Sequence, residues 1–130
     1  MGRRDAEEAS KAGSQRIENT LINVIDLVDV RRLGVRRVAG LALDVFEQPE
    51  LDGFWIHLDC DVLDDAVMPA VDYRLPGGLS WQELEVVLRA ACASPGAIGI
   101  DVTIYNPTLD PDRSIARRLV ECLATALEAS

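Results

Sequence analysis

The stretch FWIHLDCDVLDD, Phe54 to Asp65, sets an apolar run directly against a group of acids. Residues 54–59 are apolar apart from His57 and Asp59, which predicts a strand. A run so nearly continuous belongs in a sheet covered on both faces. Asp59, Asp61, Asp64 and Asp65 then crowd its C-terminal end. A carboxylate beside a core strand is costly unless a cation or a set of donors meets it. Alternate residues of a strand share a face, so His57, Asp59 and Asp61 are expected on one side, with Cys60 turned into the core.

Outward from this strand the chain alternates between two periodicities. TLINVIDL (20–27) is rich in β-branched residues and predicts another strand. Leu33, Val38, Leu41, Ala42 and Val45 recur at helical spacing within 28–48, and Gly34 divides that stretch into a short helix and a longer one. Residues 64–78 carry two prolines and a glycine pair, and read as a long loop. Ser80, with Glu83 three residues later, forms a capping box that opens a helix over 81–93. AIGIDVTIY (97–105) predicts a second buried strand, 106–114 a loop, and 115–129 a terminal amphipathic helix. Residues 1–19 read as a loop or a loose helix. Strands alternating with helices in this order predict an α/β fold with a parallel sheet.

The chain has 130 residues, 48% hydrophobic and 27% charged, enough for one domain with a real core. Its 22 acidic residues against 13 Lys and Arg give a net charge of -9. That balance argues against a nucleic-acid or anionic-membrane surface, both of which need clustered positive charge. Cys60, Cys92 and Cys122 are widely spaced and unpaired in pattern, as expected of reduced thiols in a cytoplasmic protein. No apolar run approaches the ~20 residues of a membrane span.

Two carboxylates two residues apart at a strand end can share one hard cation or bridge two. The alternative is that they cap a helix or stand solvated. An EF-hand loop starting at Asp59 fails, because Leu63, Asp64 and Ala70 occupy positions that require an acid or Asn, a Gly and a Glu. A phosphatase of the haloacid-dehalogenase type needs a lysine downstream, and the only lysine, Lys11, lies upstream.

HLDCDVLDDAVMPAVDYRLPGGLSWQE (57–83) resembles the C-terminal signature of the ureohydrolases, the family of arginase, agmatinase and formimidoylglutamase. The matching positions are Asp59, Asp61, Asp64, Pro69, Gly77, Gly78, Leu79, Ser80 and Glu83, and the likeness continues into GIDVTIYNPTLD (99–110) and back to Arg4-Asp5. The resemblance implies that residues 1–130 form the C-terminal part of a three-layer α/β/α sandwich. It implies a manganese site, with Asp59 bridging two ions and Asp61 chelating the second. A hydroxide held between the metals attacks the central carbon of a small amidine or guanidino substrate in that family. By the same resemblance, Asp64 holds the loop, Glu83 caps a helix or serves assembly, and the protein is a cytoplasmic oligomer.

The departures shape the expectation further. The family's Gly-Gly-Asp-His and Asp-Ala-His-x-Asp motifs, which supply its other ligands, are absent. The chain is therefore expected to be a fragment that holds manganese weakly, has no complete catalytic set and is inactive alone; the alternative is a non-catalytic remnant or assembly module of the same fold. Asp65 stands where the family usually has Pro. Ile104 replaces a Glu that meets the guanidinium or formimino group, which leaves the substrate open. His57, at a Ser or Thr position, is expected in the core or behind the metal ligands. Trp55 and Trp81 are expected to pack, and Arg31-Arg32, Arg36-Arg37 and Arg117-Arg118 to lie on solvated helix faces.

Overall fold

The computed structural model describes residues 1–11, 13, 17 and 20–128, leaving aside the side chain of Glu8. Helices α1 (Ala6–Lys11), α2 (Leu27–Leu33) and α3 (Val35–Phe46) precede strand β1 (Phe54–Asp59). Helix α4 (Trp81–Cys92), strand β2 (Ala97–Thr103) and helix α5 (Ser114–Leu127) follow it. The two strands pair in parallel, with His57 opposite Asp101 and Asp59 opposite Thr103. This is the α/β arrangement with a parallel sheet that the alternation of patterns predicts. Gly34, at φ 86°, separates α2 from α3 as expected.

One face of the sheet carries the core. Leu58 is 5% exposed and packs with Leu84 and Leu88 of α4, Leu119 and Cys122 of α5, and Val30 and Val38 of the first helical pair. Helix α4 lies between α5 and α3. The opposite face is open: Trp55 is 58% exposed and His57 stands beside it in solvent. The expectation of a sheet covered on both faces is therefore corrected for these residues. An apolar run of six does not by itself say how many faces are covered within one chain.

The segment 20–27 is corrected too. It forms no named strand, only a parallel bridge between Asp26 and Arg3. Gly2 N–H donates to Ile25 O at 2.8 Å and Leu27 N–H to Arg3 O at 3.0 Å. β-Branched residues favour extension, but a ladder needs a partner of equal length, and here the partnering stretch gives way to α1 at Ala6.

Residues 64–78 lack regular structure as predicted, yet the connection is not a surface feature. Leu63, Met68, Ala70, Val71 and Leu79 are all at most 2% exposed. Leu79 donates to Val62 O and accepts from Asp64 N–H, both at 2.9 Å, so the strap before α4 lies against the acid loop. At Gly78 the approach is closest: a Cβ there would sit 2.3 Å from Leu63 C. Ser80 then caps α4, its Oγ accepting from Glu83 N–H while Glu83 Oε2 accepts from Ser80 N–H.

Gly78→Ala should lower unfolding stability by roughly 2–4 kcal/mol, since backbone must move to admit the methyl group. Gly40→Ala, inside α3 with nothing near its Cβ, should instead raise it by up to about 1 kcal/mol. Urea denaturation of both variants checks the pair; equal effects would contradict the packing at Gly78.

Candidate metal centre

Strand β1 ends at Asp59, and Cys60–Val62 turns at once into a single 3-10 turn. Asp61 therefore does not continue the strand alternation, contrary to the expectation that it shares a strand face with His57. The turn nonetheless brings the two acids together. Asp59 Oδ1 accepts from Asp61 N–H at 3.2 Å, capping the turn. Burial holds the Asp61 carboxyl above the usual carboxylate range, and the neighbouring Asp59 charge adds to this, partly offset by Arg4. Both acids line a cleft of about 310 Å³ whose other walls include Arg4, Asp5, Tyr73 and Leu75.

The loop that follows is held by its own carboxylate. Asp64 accepts from Gly77 N–H at 2.6 Å and from Ala66 N–H at 3.0 Å. Those backbone donors keep its pKa below the ordinary value. Asp64 thus fastens the strap to the loop and leaves Asp59 and Asp61 as the acids of the cleft. Arg31 reinforces the same junction, pairing with Glu83 and donating to Gly78 O at 2.7 Å. Arg118 bonds Glu85 at 2.7 Å and lies over the Trp81 ring. These two arginines are ties between elements rather than solvated decoration; Arg32 pairs within α2, with Asp29.

His57 is not a core residue. Its Nδ1 lies 2.7 Å from Asp101 Oδ2 on the open face of the sheet. Trp55 Nε1 donates to the other oxygen of Asp101, and its ring lies over Gly99, where a Cβ would be 2.1 Å from the indole. These two donors, Trp55 first, depress the Asp101 pKa. Trp81 packs as expected at 8% exposure, whereas Trp55 covers the sheet face instead. The partnership of His57 with Asp101 had a trace in the sequence: each apolar strand is broken by one polar residue. Only the register reveals that the two breaks coincide.

Ile104 follows β2 with φ 70°, the left-handed region that β-branched residues avoid. Tyr105 bridges Val71 and Asn106 N–H donates to Ala70 O at 2.8 Å, which holds the chain in that conformation. The side chain is 46% exposed. Cys60 is fully buried, as expected, although it stands in the 3-10 turn and not in the strand.

Among the described residues no group of three or more His, Cys, Asp or Glu is arranged to hold a metal ion. The cleft offers two adjacent carboxylates, hard oxygen donors, and Asp5 also lines it.

The acid pair thus stands at the C-terminal end of a parallel strand, where open α/β sheets place their ligand sites. Residues 1–127 match the arginase family, and the chain belongs to it. It is 26% identical over 125 residues to the arginase of Staphylococcus aureus (strain MRSA252), covering 96% of this chain and 40% of that protein. The solved arginase of Bacillus caldovelox superposes with a TM-score of 0.78 at 26% identity, covering 92% of this chain and 38% of the other. The formimidoylglutamase of Bacillus subtilis superposes with a TM-score of 0.80 at 27% identity, covering 94% and 37%. The chain thus spans about two fifths of the length of these relatives.

Asp64→Ala should melt at a lower temperature than the wild type at pH 7. A carboxylate with a depressed folded pKa stabilises fully above its unfolded value, about 3.9, and loses that contribution as pH falls through the folded value. The gap between the two proteins should therefore narrow below about pH 4. Calorimetry across pH 7 to 3 checks this; a gap that does not change with pH would remove the assigned role.

Proposed function

We propose that this chain carries the aspartate-pair portion of a ureohydrolase-type centre, corresponding to the C-terminal part of its longer relatives. Asp59 and Asp61 would hold manganese there. The observation that carries the reading is the adjacency of the two carboxyls in one cleft, with Asp61 held protonation-prone by burial and by Asp59. A cation relieves that arrangement, and carboxylate oxygens suit a hard divalent ion. The donor set fits such an ion in part, since two aspartates are fewer ligands than it takes up.

The reaction class that follows is hydrolysis of a non-peptide C–N bond in a small amidine or guanidino compound. A divalent ion bound at this place supplies Lewis-acid activation of water. The chain's own contribution is to hold the two carboxylates side by side, through the capped turn at 60–62 and the strap at 75–80. Ile104, apolar and half-exposed at the same end of the sheet, offers no counter-charge to a cationic guanidinium. That favours a less basic substrate over arginine.

The wild-type chain should bind Mn2+ weakly, and an Asp59→Asn, Asp61→Asn double variant should lose that binding. Isothermal titration of both proteins measures it; equal binding would sink the assignment of the ligands.

The purified chain alone should release no measurable urea from arginine or agmatine, nor hydrolyse formimidoylglutamate. Two aspartates cannot fix a binuclear geometry against water. Urea release that needs manganese and is abolished by Asp61→Ala would overturn the view that the site is completed by further ligands.

A further inference from the structure

Arg4 lies 57 residues before Asp61 in the chain, yet one of its nitrogens ends on the acid loop. Nη2 donates to Asp61 O at 2.6 Å, to Leu63 O at 3.2 Å and to Leu75 O at 3.0 Å. The first two carbonyls belong to the turn that follows β1, and the third to the strap that packs on it. A single guanidinium nitrogen thus gathers three carbonyls from the two segments that define the cleft. Among the described residues, Arg4 Nε is a buried side-chain atom without a hydrogen-bond partner. An unpaired buried donor is costly, and the fold carries it with Nη2 placed where the carbonyls converge.

The placement of Arg4 is itself built. The hydrogen bonds of Gly2 with Ile25 and of Leu27 with Arg3 fix the chain just before Arg4 against the 25–27 segment. Arg3 goes to Asp26, with Nε 2.7 Å from Oδ1, whereas Arg4 reaches the acid loop. Two adjacent arginines therefore serve different segments.

We infer that Arg4 is a positioning residue, whose guanidinium locks the turn after β1 to the strap and so holds the Asp61 carboxyl beside that of Asp59. Its functional meaning rests on the metal reading above, but its test does not. Lysine is a poor substitute, because its ammonium is a compact, strongly hydrated charge on a shorter side chain that stops short of the position of Nη2.

Amide hydrogen exchange on the wild type, Arg4→Met, Arg4→Lys and Arg3→Met decides it without metal. In Arg4→Met, amides of Asp61, Leu63 and Asp64 should exchange at least tenfold faster, while those of Ile56 and Leu58 stay within a few-fold of the wild type. Arg3→Met should leave the loop amides close to wild type, and Arg4→Lys should fall between. Manganese affinity should drop at least tenfold in Arg4→Met and stay near wild type in Arg3→Met. Loop exchange in Arg4→Met equal to wild type, or to that of Arg3→Met, overturns the inference. Should Arg4→Met prove unfolded by circular dichroism, unchanged loop exchange in Arg4→Lys overturns it instead. A wild type that binds no manganese overturns the metal reading alone, and the exchange comparison still decides Arg4.

Discussion

Gly78 sits so close to the backbone of Leu63 that no side chain fits between them. The rest of the architecture is arranged around that contact. Leu79 exchanges hydrogen bonds with Val62 and Asp64, and the Asp64 carboxylate accepts another from Gly77 N–H. A segment without regular structure is thereby tied by backbone hydrogen bonds on both sides of the contact, and its buried side chains join the main core. Helix α4 begins at Ser80, directly beyond the contact, so the helix that covers the sheet is placed by the same backbone approach. Arg31 fastens α2 to this junction from the other side. Buried loops are uncommon because their polar backbone must be satisfied. Here the acid loop and the strap satisfy each other.

The consequence for the site is geometric. The turn after β1 is tied to the strap and capped by Asp59, which places the Asp59 and Asp61 carboxyls side by side although like charges repel. Ordinarily such a pair would separate or be solvated. Adjacency enforced by the fold, in a cleft, is what makes the pair a candidate for a cation instead of a helix cap. Two aspartates are fewer ligands than a hard divalent ion takes up, and the chain spans about two fifths of the length of its relatives.

Much of this was legible in the residues. The strand at 54–59, the second near 97–105, the break at Gly34 and the Ser80–Glu83 capping box all follow from local pattern, and local pattern is what those elements depend on. The acid pair was legible for the same reason, since its members lie two residues apart. What was hidden depends on pairing over distance. The extended look of 20–27 could not reveal that its partner is only a rung at Arg3. The apolar look of β1 could not reveal that Trp55 and His57 face an open side. His57 and Asp101 lie 44 residues apart and meet only through the strand register. Arg4 is farther still from the loop it reaches. The left-handed Ile104 runs against propensity outright, and is held there by contacts with the 70–72 segment.

The central claim is that Asp59 and Asp61 together form a cation site at the end of β1. Crystals of the chain grown with manganese, measured at the manganese absorption edge, test it most directly. The account predicts an anomalous peak within bonding distance of carboxylate oxygens of both residues. A peak elsewhere on the surface, with none at this pair, would contradict it.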